Sequence, residues 1–210
     1  MLETAILALT TFFATIGSLD VAAMFAVLTA SYTAKQKRSV AIRGTLIATV
    51  ILVTFALIGE FLLSSLGISL AALRIAGGIL LLLIGIDMVF ARSSGGTSTT
   101  TEEAEEAFSK SDISVFPLAT PLIAGPGAMG AVILLIADQQ GDITGQAIII
   151  ASLLVILLLT FICLLLALQL QKLFGITGMH VIARVMGVLL AALAVQFILD
   201  GITQSGLLLQ

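Results

Sequence analysis

Residues 117–128 read Pro-Leu-Ala-Thr-Pro-Leu-Ile-Ala-Gly-Pro-Gly-Ala and hold all three prolines of the chain. The stretch lies inside an apolar segment, residues 114–137, long enough to span a bilayer. Proline lacks an amide hydrogen, and its ring clashes with the preceding helical turn. Gly125 and Gly127, on either side of Pro126, reach backbone angles that other residues adopt only at a cost. The spacing predicts a helix that starts near 114, breaks near 125 and restarts near 127. At membrane depth the backbone groups freed by a break must be buried in protein or line a polar cavity.

Outward from this stretch the chain is apolar throughout. Of 210 residues, 60% are hydrophobic and 10% charged. A soluble domain carries roughly 45–50% apolar and about 25% charged residues, so the surplus must face lipid. A span needs about 20 residues. Such segments fall at about 5–30, 44–66, 74–91, 114–137, 147–171 and 184–204. The expected fold is an all-α membrane protein of six transmembrane helices, arranged as two inverted three-helix repeats with broken first and fourth helices. The expected units are residues 1–91, an acidic polar linker at 92–113, and residues 114–210.

Charge placement sets the expected orientation. With the N-terminus outside, eight of the nine Lys and Arg residues fall on the inner side, and only Arg74 lies outside. The positive-inside bias then puts both termini outside a bacterial inner (plasma) membrane. No basic region precedes the first apolar stretch, so that stretch reads as a retained helix. The net charge of −3 gives no reason to expect a nucleic-acid partner. The single Cys163 and single His180 argue against a disulfide and against a cysteine or histidine metal cluster. The expected partners are the lipid bilayer, a small-molecule solute and a homo-oligomeric copy. No resident cofactor is expected, only H⁺ or Na⁺ as a coupling ion.

The two halves match in order. At an offset of 108 residues, Gly17 aligns with Gly125, and Gly67-Ile68-Ser69 with Gly175-Ile176-Thr177. Two residues then enter, and Arg74 aligns with Arg184, and Gly77 with Gly187. Three helices is an odd number, so the second unit must enter the membrane from the opposite side. Inverted repeats of this kind, with discontinuous helices at matching places, are a transporter architecture.

The first segment carries its interruption at Gly17-Ser18-Leu19-Asp20. Half-helix N-termini near the midplane would offer free amides and positive dipole ends to an anionic group. The candidate solute-binding residues are therefore Gly17, Ser18, Asp20, Gly125, Pro126 and Gly127. Ser18 is also a candidate cap for the restarting half-helix. Asp20 is a carboxylate at depth, which reads as functional by default. It is a candidate for ion coupling, or else a static cap on the amide end. Arg74 and Arg184 open the third and sixth helices and are candidates for gating by pairing with acids, or for anchoring at the interface. Gln196 is a further candidate for ion coupling or gating. No catalytic constellation and no metal-ligand set stands out.

The run Pro117–Ala128 closely resembles the signature of the MarC family of inner-membrane proteins. Arg74-Ile-Ala-Gly-Gly-Ile-Leu and Arg184-Val-Met-Gly-Val-Leu-Leu-Ala-Ala fit the same family. The resemblance covers nearly the whole chain. It implies a bacterial or archaeal membrane protein related to transporters of small neutral amino acids, within a clan that includes LysE-type exporters. The family pattern in the first helix is Asn-Pro-x-Gly-x-x-Pro, where this chain has Gly17, Ser18, Asp20 and Ala23. The resemblance thus supports the second-half break directly and the first-half break by position. The expected function is an ion-coupled secondary transporter or exporter of small solutes such as amino acids. The alternative is a non-transporting membrane scaffold or regulator, with an intramembrane enzyme ranking behind it.

Overall fold

The structure is a computed structural model that describes residues 1–29, 31–90, 113–139 and 141–205. The expected linker at 92–113 lies almost wholly outside the described residues. Those that are described form α1 (Leu2–Ile16), α2 (Ser18–Leu28), α3 (Ala34–Ser65), α4 (Leu70–Phe90), the irregular α5 (Ser114–Ile123), α6 (Pro126–Asp138), α7 (Ile143–Leu165) and α8 (Ala167–Gln204).

Among the described residues, five stretches are long and apolar enough to cross a bilayer, with α1 and α2 together counting as one (Leu2–Ala26). The bent pair α5 and α6, inclined by 54°, makes a sixth when taken as a single broken span. Large apolar side chains lie on the outside. Leu46, Leu57, Phe61 and Leu158 are each more than half exposed. That is the surface a hydrocarbon solvent requires, since water would penalise each such side chain by about 1.5–3 kcal/mol.

Two element boundaries differ from the sequence expectation. Residues 32–43, a basic stretch, fall between the first two expected spans, but from Ala34 onward they form the first turns of α3. The reason is a capping box. Thr33 Oγ1 accepts from the Gln36 amide, and Gln36 Oε1 accepts from the Thr33 amide. The helix therefore nucleates ten residues before the apolar run. The second difference is α8, which begins at Ala167, so its helix runs through the polar stretch expected between spans five and six. Only Leu166 separates it from α7. No proline interrupts this region, and a glycine such as Gly175 weakens a helix without ending it. The matching Gly67, by contrast, sits in a turn at φ 67°. The two halves differ locally at this point.

The packing order positions everything that follows. α3 lies against both α5 and α6, while α7 lies against both α1 and α2. α4 and α8 form the most extensive pairing among the described elements. Each broken segment is thus flanked by the second helix of the opposite half of the chain. Exchanging the halves (first segment with fourth, second with fifth, third with sixth) leaves this pattern of partners unchanged.

Close backbone approach explains the α4–α8 pairing. A Cβ added to Gly85 would lie 2.9 Å from the Gly187 carbonyl oxygen, and one added to Gly187 would lie 2.8 Å from the Gly85 carbonyl. Gly78 and Gly201 make similarly tight contacts along the same seam. In lipid the hydrophobic effect does not drive helices together, so small residues that permit close van der Waals contact take that role.

Candidate functional site

The first interruption is a single left-handed residue. Gly17 has φ 61° and ψ 52°, and its amide donates to the Phe13 carbonyl, which closes α1. α2 restarts at once with Ser18. Asp20, in the first turn of α2, holds its carboxylate over the break, with Oδ2 3.4 Å from the position a Cβ on Gly17 would take. A carboxylate in a first helical turn is favourably placed against the positive end of the dipole.

Ser18 does not cap the half-helix. Its Oγ lies 2.7 Å from Thr160 Oγ1 on α7, and both residues are fully buried. Thr160 Oγ1 donates to the Ile156 carbonyl at 2.8 Å. A threonine hydroxyl has one proton, so Ser18 is the donor of the interhelical bond. This hydroxyl ties the restart of the first span to the second helix of the other half.

The second interruption is wider than the sequence suggested. A helix was expected from 114 to 125, yet the backbone departs from helical geometry already at Phe116 (φ −128°, ψ 126°) and again at Thr120 (φ −133°, ψ 130°). The following bonds, Phe116–Pro117 and Thr120–Pro121, are cis. Hydrogen bonds here step back five residues, from the Leu118 amide to the Ile113 carbonyl and from the Ala124 amide to the Ala119 carbonyl. Gly125 is extended (φ −80°, ψ 169°) and Pro126 occupies the first position of α6, where its missing amide hydrogen costs nothing. Gly127 is buried, and a Cβ there would sit 2.5 Å from Ile84 Cδ1 on α4. Gly127 therefore serves the packing of α6 on α4.

The two interrupted spans pack against one another. α1 packs on α6, and α2 packs on α5. This crosswise contact is the pattern of two antiparallel spans lying side by side.

The ionisable candidates separate into two groups. Arg74 is buried, and its guanidinium forms an ion pair with Asp138 at the end of α6. Each charge is poorly placed for its own helix, a cation near the start of α4 and an anion at the end of α6. Pairing offsets both penalties. Asp138 is not among the candidate residues read from the sequence. The signal available was Arg74 itself, because a cation in an apolar span needs a partner. Arg184 and Gln196 are exposed on α8. Gln196 Nε2 donates to Asp200 Oδ1 at 2.7 Å, one helical turn along.

The model of the MarC family of integral membrane proteins matches residues 2–205. The chain belongs to the MarC family. MarC-family membership makes it a multi-pass integral membrane protein. It is 40% identical over 197 residues to a UPF0056 membrane protein of Methanocaldococcus jannaschii, a match covering 94% of this chain and 95% of the relative. It is 34% identical over 179 residues to the UPF0056 membrane protein YvbG of Bacillus subtilis, covering 85% and 84% of the two chains. It is 35% identical over 168 residues to the UPF0056 inner membrane protein YhgN of Escherichia coli, covering 80% of each. No solved structure matches this MarC-family chain.

Proposed function

We propose that this MarC-family protein is a secondary transporter of a small solute such as an amino acid, coupled to H⁺ or Na⁺. The solute site is the region where the backbones of Gly17–Asp20 and Gly125–Gly127 meet. The supporting observation is the crosswise packing of α1 on α6 and α2 on α5, which sets the two interrupted spans side by side. The exchangeable pattern of helix partners supports reading the halves as inverted repeats, an architecture that allows one site to open alternately to either side. Asp20, beside the first break, is the carboxylate that carries the coupling ion on this reading. The Arg74–Asp138 pair closes one end of the pathway. No covalent chemistry is assigned to any residue. Both termini face outward from the plasma membrane.

Proteoliposomes holding the purified protein test the proposal. Counterflow of a labelled amino acid from a broad panel, dependent on a proton or sodium gradient, is the expected result. Asp20→Asn should lower the flux at least tenfold without loss of folded protein. An absence of saturable flux across the whole panel, under either gradient, overturns transport and leaves a scaffold or regulator. Flux that Asp20→Asn leaves unchanged overturns the assigned coupling residue.

A further inference from the structure

An apolar groove of about 390 Å³ runs between α3 and α7, lined by Ile42, Thr45, Leu46, Thr49 on one side and by Leu154, Leu157, Leu158, Phe161 on the other. None of its lining residues belongs to the proposed solute site. The two threonines add little polarity to it. Thr49 Oγ1 donates to the Thr45 carbonyl, and Thr45 Oγ1 is shielded from solvent. The groove therefore presents carbon, and it opens beside the exposed Leu46 and Leu158. It covers about 10 Å of helix at 1.5 Å per residue.

The α3 side of this lining follows one helical stripe, and the stripe continues toward the helix start. Positions 42, 45, 46 and 49 are preceded on the same face by 38 and 35, which are Arg38 and Lys35, both exposed. Lys37 falls on a different face, that of the buried Ala41, Gly44 and Ala48. The first turn of α3 holds no acidic residue, so no carboxylate in that turn offsets Lys35 and Arg38 at the positive end of the helix dipole. A hydrocarbon groove thus leads, along one face, to an electropositive end.

From this juxtaposition we infer that the α3–α7 face is a binding site for an anionic phospholipid. One acyl chain lies in the groove, and the phosphate of the headgroup sits against Lys35 and Arg38. Lipid bound there requires no transport activity.

Native mass spectrometry of the detergent-purified full chain, titrated with phosphatidylglycerol and with phosphatidylcholine of the same acyl chains, tests the site. Phosphatidylglycerol should bind at least tenfold more tightly. Arg38→Gln should erode that preference by about fivefold, the effect of losing one basic residue at a membrane surface. Lys37→Gln removes the same charge off the stripe and should change the preference less than twofold. Thr49→Phe, which fills the groove, should weaken both lipids. Three results each overturn the inference: equal affinity for the two lipids, equal losses from Arg38→Gln and Lys37→Gln, or displacement of phosphatidylglycerol by an equal concentration of glycerol phosphate, which would mean that the groove contributes nothing. Because Arg38 and Lys37 lie outside the core, their comparison stands even if Thr49→Phe fails to fold.

Discussion

Arg74 is joined to Asp138 by an ion pair that ties the second turn of α4 to the last residue of α6. The two partners are unequally buried, at 10% and 32% side-chain exposure, and this decides which loss matters more. Asp138→Leu strands a buried guanidinium, whereas Arg74→Met leaves a carboxylate that water still reaches. We expect Asp138→Leu to cost about 2–4 kcal/mol and Arg74→Met about 1 kcal/mol, measured by reversible unfolding in mixed micelles. The opposite ranking would contradict the pair as described.

The Ser18–Thr160 bond supports a second asymmetry. Ser18→Ala removes a donor and leaves Thr160 bonded to Ile156, at a cost of about 0.6–1.7 kcal/mol, the range for interhelical hydrogen bonds in membranes. Thr160→Val instead leaves the Ser18 hydroxyl buried without its acceptor, which adds roughly 1–3 kcal/mol. Unfolding of the two variants side by side checks the order.

Glycine substitutions should divide by location. Gly85→Ala forces a methyl into the α8 backbone and should cost about 1–3 kcal/mol. Gly130, inside α6, has open space around its missing Cβ. Gly130→Ala should be neutral or stabilising by up to about 1 kcal/mol, from helix propensity alone. Thermal midpoints of the two proteins give the comparison.

Gly17 and Gly67 both adopt left-handed angles, at φ 61° and φ 67°. Alanine at either position carries a similar backbone cost of roughly 1–2 kcal/mol. Only Gly17 lies at the proposed solute site. Gly17→Ala should therefore depress flux in proteoliposomes well beyond Gly67→Ala at matched stability. Equal effects would remove the first break from the site.

The membrane fold was readable because lipid demands apolar residues over fixed lengths, and the composition shows it directly. The second break was readable because proline and glycine act locally, on their own turn. Its extent was encoded locally as well, because proline disfavours helical angles at the residue before it, here Phe116 and Thr120. The start of α3 was missed because Thr33 and Gln36 act through a local capping box that hydropathy ignores. The Asp138 and Thr160 contacts join residues 64 and 142 positions from their partners. No local pattern encodes such distances.

The exchange of partners between halves bears on how the protein is made. α1 and α2 leave the ribosome early, yet α7, the helix that packs against both, is complete only at residue 165. At about 5–20 residues per second that delay is on the order of ten seconds. During it the Ser18 hydroxyl and the backbone at Gly17 sit in the bilayer or the insertion machinery without Thr160 or its helix beside them. A nascent chain stalled before α7 should thus be a substrate for membrane quality control, and a chain severed between residues 90 and 113 should yield pieces that survive only when co-expressed.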